Sequence, residues 1–194
     1  MAQGALLLAA GYSRRFGGMK LNAALSEDDT VFSQSLRRLK AVTDNILVVT
    51  RQELLDGGLL HPLSPIERRS LRTICCAGAE SGLGHSLAAG IAEMRDTDAC
   101  LICLSDMPLV HPDTLQTLFN ALHPERITVP LHAGHRGNPA GFGKHFYPLL
   151  MQCSGDTGAR TIIQSHPERV VEIPVSDQGI FHDIDTPDDL RVNR

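Results

Sequence analysis

Much that would fix a function at a glance is missing from this chain of 194 residues. It lacks an excess of basic charge: 18 Lys and Arg stand against 22 Asp and Glu, a net charge of −4. That balance argues against a generic nucleic-acid binder, while leaving room for a small basic pocket. No segment approaches the ~18 consecutive apolar residues of a transmembrane helix. No Lys or Arg precedes the apolar run Leu6–Ala10, and the run is short for a secretory signal, so the opening reads as a strand. Five cysteines, an odd number in a chain with an ordinary core, argue against a disulfide framework. The expected setting is the cytoplasm, with neither membrane nor nucleic acid as partner.

Familiar catalytic signatures are missing too. Lys20 is followed by Leu21, so the basic loop around it is not a Walker P-loop. Gly82-Leu83-Gly84 begins like a dinucleotide fingerprint, with Asp106 about twenty residues on, but Leu87 occupies the third glycine position. No G-x-S-x-G elbow anchors acyl transfer. His132, His135 and Cys153 match no usual zinc spacing. Cys100 and Cys103 lie on a predicted strand and point to opposite faces, and Cys75 and Cys76 read as part of another apolar strand.

What is present is an alternation of short apolar runs and helical patterns. Strands are expected at Ala5–Ala9, Asn45–Thr50, Thr73–Cys76, Ala99–Leu104, Ile127–Pro130 and Val170–Val175. Helices are expected at Val31–Val42, Gly84–Arg95, Pro112–Leu122, Lys144–Met151 and Gly158–His166, with a last one from Pro187. The pattern predicts one α/β domain with a mostly parallel sheet covered by helices on both faces. The unbroken apolar character of "LLLAA" and "CLICL" fits strands buried on both sides. The stretch "GGLLHPLSPIERRS" reads as a mobile loop.

Ligands of open α/β sheets bind beyond the carboxyl ends of the strands. Three junctions fall there. In "AAGYSRRFGGMK", glycines and the charges of Arg14, Arg15 and Lys20 describe either a phosphate loop or a solvated basic loop. "SGLGHS" is a glycine turn starting a helix whose Leu87 and Ile91 face the core. "SDMPLV" places Asp106 at the end of a buried strand, either as a turn aspartate or as a Mg²⁺ ligand facing phosphates. Farther on, Asp183 and Asp185 lie two apart and share a side of an extended segment, followed by a helix start at Thr186–Asp189.

The segment Leu8–Lys20 also resembles the L-A-A-G-x-S-x-R-x-G-x-x-K opening of the molybdenum cofactor cytidylyltransferases and their relatives, the molybdopterin guanylyltransferases among them. It matches at Leu8, Ala9, Ala10, Gly11, Ser13, Arg15, Gly17 and Lys20. It departs at Phe16, where Met is common, at Met19 in the usual Pro-Lys pair, and in the "LNAAL" and "SEDD" wording that follows. Later segments keep the family's order. Gly82, Gly84 and Ser86 match G-x-G-x-S-L, and Asp106 heads D-x-P-L-V, with Ser105 where Gly or Ala is common. Gly137 and Pro139, with Asn138 between them, fall in G-x-P-x-x-F. Asp156 and Arg160 fall in G-D-x-G-A-R, and Asp183 and Asp185 in D-I-D-T-P-E-D-L.

The resemblance implies a three-layer, Rossmann-like nucleotide-diphospho-sugar transferase (GT-A-like) fold. It implies transfer of CMP from CTP to the terminal phosphate of molybdopterin, with pyrophosphate released and Mg²⁺, or Mn²⁺ in its place, as cofactor. Arg15 and Lys20 would hold phosphates, Asp106 with Asp183 or Asp185 the metal, and Gly82, Gly84 and Ser86 the base and ribose. Gly137, Asn138, Pro139, Asp156 and Arg160 would line the acceptor side, and a molybdoenzyme would receive the product. The guanylyl relatives usually read L-A-G-G, so Ala10 favours CTP. The alternatives are GTP or another phosphorylated acceptor on the same fold, and a non-catalytic cofactor-binding accessory protein.

Overall fold

The computed structural model describes residues 1–13, 15–156 and 158–190. Arg14 of the basic loop and Thr157 of the "SGDTGAR" segment lie outside the described residues. Eight strands form one sheet: β1 Gln3–Leu8, β2 Ile46–Thr50, β3 Arg72–Cys75, β4 Ala99–Leu104, β5 Ile127–His132, β6 His135–Arg136, β7 Ala140–Gly143 and β8 Val170–Pro174. Their order is β3-β2-β1-β4-β7-β5-β6, with β8 also paired to β5. The pairs β1–β2, β1–β4, β2–β3 and β5–β8 are parallel. The register sets Leu6 between Leu47 and Ile102 on one face and Leu7 between Val48 and Cys103 on the other, so the centre of the sheet is apolar on both faces.

Helices cover both sides: α1 Val31–Lys40, α2 Gln52–Asp56, α3 Pro65–Ser70, α4 Leu83–Glu93, α5 Pro112–Asn120, α6 Tyr147–Leu150 and α7 Arg160–Ser165. The period of two along β1 divides the core. Ala5, Leu7 and Ala9 pack with Val31, Phe32 and Leu36 of α1 and Leu118 of α5. Leu6, Leu8 and Ala10 pack with Leu87 and Ile91 of α4 and with Phe142 and Phe146. The expected α/β architecture is therefore present, and Cys100 and Cys103 do face opposite sides.

Three expectations need correction, and one strand has no counterpart among them. Residues 57–70 are not a bare loop: Leu59 and Leu63 are buried, and α3 starts with a capping box in which Ser64 and Glu67 satisfy each other's backbone N–H groups. Ala140–Gly143 forms the buried strand β7, running antiparallel between β4 and β5. Cys75 is exposed, because β3 is an edge strand, and Cys76 turns inward beyond its end. Pro187–Leu190 is a short 3₁₀ turn.

The glycines of β7 reflect close approach of neighbouring chain. A Cβ on Gly143 would lie 2.1 Å from the Pro124 carbonyl oxygen, a backbone atom that cannot swing aside. Gly143→Ala is therefore expected to destabilise the protein by about 1–3 kcal/mol, the usual range for overpacking. A urea unfolding curve checks this, and an unchanged midpoint would contradict it.

Candidate active site

The carboxyl ends of β1 and β4 are tied together before any side chain reaches the site. The Ser105 N–H donates to the Leu8 carbonyl at 3.1 Å, and the buried Ser35 hydroxyl donates to the Ser105 carbonyl at 2.8 Å. On the other side, the Ala9 N–H donates to Val49 at 2.7 Å and the Thr50 hydroxyl to the Ala9 carbonyl at 3.0 Å. The Ile184 N–H donates to the Asp106 carbonyl at 2.8 Å, which brings the C-terminal acids to the same place.

Lys20, in a 3₁₀ turn closing the glycine loop, is buried and aimed inward. Its Nζ lies 2.8 Å from Asp106 Oδ2 and 3.1 Å from Asp185 Oδ1. Arg15, 79% exposed along its side chain, reaches Asp185 Oδ2 at 2.6 Å. Asp185 is itself held by Asp189, whose Oδ2 accepts from the backbone N–H groups of Asp185 and Thr186 at 2.9 and 2.7 Å. Asp106, Asp183 and Asp185 each offer an oxygen within 4.8 Å of the others. This is the one such acidic, His or Cys group among the described residues.

Two features show that these carboxylates fit a hard divalent cation. The donors are all oxygens, as Mg²⁺ and Mn²⁺ prefer. Asp106 Oδ1 is buried with no hydrogen-bond partner, a costly arrangement for a carboxylate.

Burial pushes the Asp106 carboxyl above the ordinary value of 3.8, with Lys20 pulling it partly back and Asp183 adding to the rise. Burial alone would lower Lys20, but Asp106 and Asp185 together carry it above the ordinary lysine value. Asp189 moves the other way: the Thr186 and Asp185 N–H groups hold it below 3.8. The two acids therefore affect stability with opposite signs. Asp189 contributes stability present above 3.8 and lost as pH falls through its lowered value, whereas charging Asp106 costs stability that is regained as pH falls through its raised value. Carboxyl-carbon NMR titration of the metal-free protein is expected to place Asp106 above and Asp189 below 3.8. Lys20→Met should move Asp106 farther up. Coincident titrations of the two acids would contradict the arrangement.

Above the carboxylates lies a cavity of about 380 Å³ whose lining includes Ala10, Gly11, Ser13, Gly82, Ser86 and Asp156. Leu8, Lys20 and Asp106 also border it. A second cavity of about 560 Å³, with Gly137, Asn138 and Arg160 in its wall, shares Leu8, Leu83 and Leu104 with the first. The two therefore meet at the strand ends.

Other sequence candidates are taken up partly or wholly by packing. Ala9 is core. Gly84 is covered by the loop carrying Asp156: an added Cβ would lie 2.7 Å from Ser154 backbone, and its N–H donates to Gly155 at 2.8 Å. Gly82, at φ +111°, approaches Gly155 and Asp156 as closely. The "SGLGHS" and "SGDTGAR" segments thus interlock. Asp156 lines the first cavity rather than the second, and it does not cap α7, whose N-cap is Ala159 without a side-chain bond. Pro139 lies on the opposite side, near Met107 and Leu115. Sequence reasoning passed over Tyr12, Glu80 and Ser81, which also line the first cavity. Their only signal was adjacency to Gly11 and Gly82.

The fold is that of the nucleotide-diphospho-sugar transferases. The crystal structure of Rv0371c from Mycobacterium tuberculosis superposes with a TM-score of 0.83 at 22% identity, covering 100% of this chain and 97% of that one. A complex of Rv0371c with manganese gives 0.79 at 22%, covering 100% and 98%.

The MobA-like NTP transferase domain matches residues 5–170, and the chain belongs to that family. The purine catabolism protein PucB of Bacillus subtilis is 35% identical over 197 residues, 97% of this chain and 94% of that protein. A probable molybdenum cofactor guanylyltransferase of Methanosarcina mazei is 28% identical over 138 residues, 66% of this chain and 61% of that protein.

Proposed function

We propose that this family member transfers CMP from CTP to the terminal phosphate of molybdopterin. The observation carrying this reading is the meeting of two cavities at Leu8, Leu83 and Leu104: one bordered by the glycine loop, Lys20 and Asp106, the other by Arg160 and Asn138. The triphosphate occupies the loop, where Arg15 and Lys20 leave their carboxylate partners for phosphate oxygens. The base lies toward Gly82 and Ser86, in a cavity that Ala10 also lines, and Ala10 stands where the guanylyl relatives usually carry glycine.

A terminal phosphate oxygen of molybdopterin attacks the α-phosphorus of CTP. The α–β bridging bond breaks, pyrophosphate leaves with the bond's electron pair, and a phosphoanhydride is formed. The acceptor phosphate needs no general base, because a phosphate monoester with a second pKa of about 6 is largely a dianion at neutral pH. Positioning and charge neutralisation therefore carry the catalysis. Asp106 with Asp183 or Asp185 would hold Mg²⁺ or Mn²⁺, which would supply neutralisation of phosphate charge. The manganese complex of Rv0371c, a structural neighbour, supports a divalent cation in this fold.

The test is pyrophosphate release from CTP, GTP and ATP with Mg²⁺ and molybdopterin. CTP is expected to dominate. The names of the Methanosarcina relatives favour GTP as the second reading, and GTP-dominant release would establish it instead of CTP. No release with any nucleotide would overturn the transferase reading in favour of a binding protein.

A further inference from the structure

We infer that the turn from Arg51 to Gly57, between β2 and the end of α2, is a brace that positions the glycine loop, with Arg51 and Gly57 as positioning residues. The inference rests on the reading of that loop as the triphosphate site. It concerns a segment outside the loop motif, and no residue of it lines either strand-end cavity.

After β1 the loop is held by the half-buried Phe16, which packs against the core, and by the pairing of Arg15 with Asp185, but its glycines pack on nothing. Ser13 has a left-handed φ of 51° and Gly17 one of 73°, and methyl groups added at Gly11, Gly17 or Gly18 would meet nothing within 4 Å. Inside the loop, the Phe16 N–H donates to Ser13 at 3.0 Å. Yet the loop must hold Arg15 and Lys20 in register with the carboxylates.

Two pins to one short helix, one on each side of Phe16, add to that register. At the start of the loop, the Arg51 guanidinium carbon lies 4.2 Å from the Tyr12 ring centroid. The cation is largely shielded from water, the Arg51 side chain being only 11% exposed, although Tyr12 itself is 39% exposed. At the end of the loop, the Asn22 side-chain amide donates to the Gly57 carbonyl at 2.7 Å. Met19 packs so closely on Gly57 that an added Cβ would lie 2.5 Å from its sulfur. Arg15 and Lys20 are thus spanned by Tyr12 and Asn22.

The brace is firmly rooted. Arg51 follows the fully buried Thr50, whose hydroxyl is already bonded to Ala9 at the base of the loop. The Arg51 head also lies 3.4 Å from Glu53, while its Nε is buried without a partner. A guanidinium kept in this shielded position, with one donor unsatisfied, is placed for the face of Tyr12. Tyr12 in turn walls the cavity, so Arg51 acts on nucleotide through the ring and not by touching it.

The test compares Arg51→Met, Arg51→Lys, Tyr12→Ala and the double variant Tyr12→Ala/Arg51→Met. The readouts are CTP and pyrophosphate affinity by calorimetry, and KM against kcat. Arg51→Met is expected to weaken both ligands by roughly 3–30-fold, the range set by a shielded cation–π contact. It should raise KM with kcat changed less than about twofold, because interactions made equally in ground and transition states act on KM. Arg51→Lys should recover part of the loss, since an ammonium also attracts the ring. In the Tyr12→Ala background, Arg51→Met should add nothing further. Gly57→Ala, which displaces Met19 at the other pin without altering charge, should weaken pyrophosphate in the same direction. Unchanged affinity in Arg51→Met, or the same loss with and without Tyr12, overturns the brace even if the parent binds triphosphate. A parent that binds neither probe overturns the loop reading and this inference together.

Discussion

Asp106→Asn is expected to lower turnover on the order of 10³-fold, the scale on which preorganised electrostatic groups act. Asp106 is fixed from three directions: β4 ends two residues before it, Ser105 is held by Leu8 and Ser35, and its own carbonyl receives Ile184. Nothing about the amide disturbs that frame, because Asn preserves the side chain's shape. What it loses is negative charge, both opposite Lys20 and beside Asp183 and Asp185. Circular dichroism should therefore match the parent while cation-dependent turnover collapses. Activity within threefold of the parent would remove Asp106 from the chemistry.

Lys20→Met carries the second large effect, and its two consequences have opposite signs. Lys20 holds the oxygens of Asp106 and Asp185 at 2.8 and 3.1 Å, so in the ligand-free protein it competes with a divalent cation for the same carboxylates. Removing the ammonium unmasks negative charge, and the affinity of the free protein for Mn²⁺ should rise. The same substitution deprives the triphosphate of a buried cation, and kcat/KM for CTP should fall by about 10²–10³. Mn²⁺ titration followed by electron paramagnetic resonance reads the first effect, and pyrophosphate release the second. A fall in both, with an intact fold, would mean that Lys20 organises the carboxylates instead of competing for them. Unchanged kinetics would place it outside the site.

The parts of this fold legible in sequence were those with a strong local signal. "LLLAA" and "CLICL" announced strands buried on both faces, and they became β1 and β4 at the centre of the sheet. The strand β7 was hidden because two of its four residues are glycine, so no alternation of apolar side chains could appear. Its antiparallel insertion depends on contacts with β4 and β5 that local pattern does not encode. The helix α3 was a different miss. Its signal lies in Ser64, Pro65 and Glu67, and the surrounding glycine, histidine and prolines mask it with the composition of a loop.

The site divides the same way. Glycines, charges and junction positions pointed to the strand ends, and the family resemblance ordered them. What could not be read was pairing across distance: Lys20 and Asp185 are 165 residues apart, and Arg15 and Asp185 are 170 apart. Gly82 and Gly84 were read toward the nucleotide, yet their bare Cα positions also admit the backbone of Ser154 to Asp156. Tyr12 fills a variable position of the motif, and its place in the cavity wall and under Arg51 is visible only in the structure.

The central claim is transfer of a nucleotidyl group onto a phosphate at the junction of the two cavities. The most direct measurement follows the α-phosphorus: CTP labelled there is mixed with the protein, Mg²⁺ and molybdopterin, and products are separated by chromatography and mass spectrometry. The account predicts label in a molybdopterin–cytidine dinucleotide, with one pyrophosphate released per label transferred. Label recovered only as free CMP, or remaining in CTP while the pterin is unchanged, would contradict it.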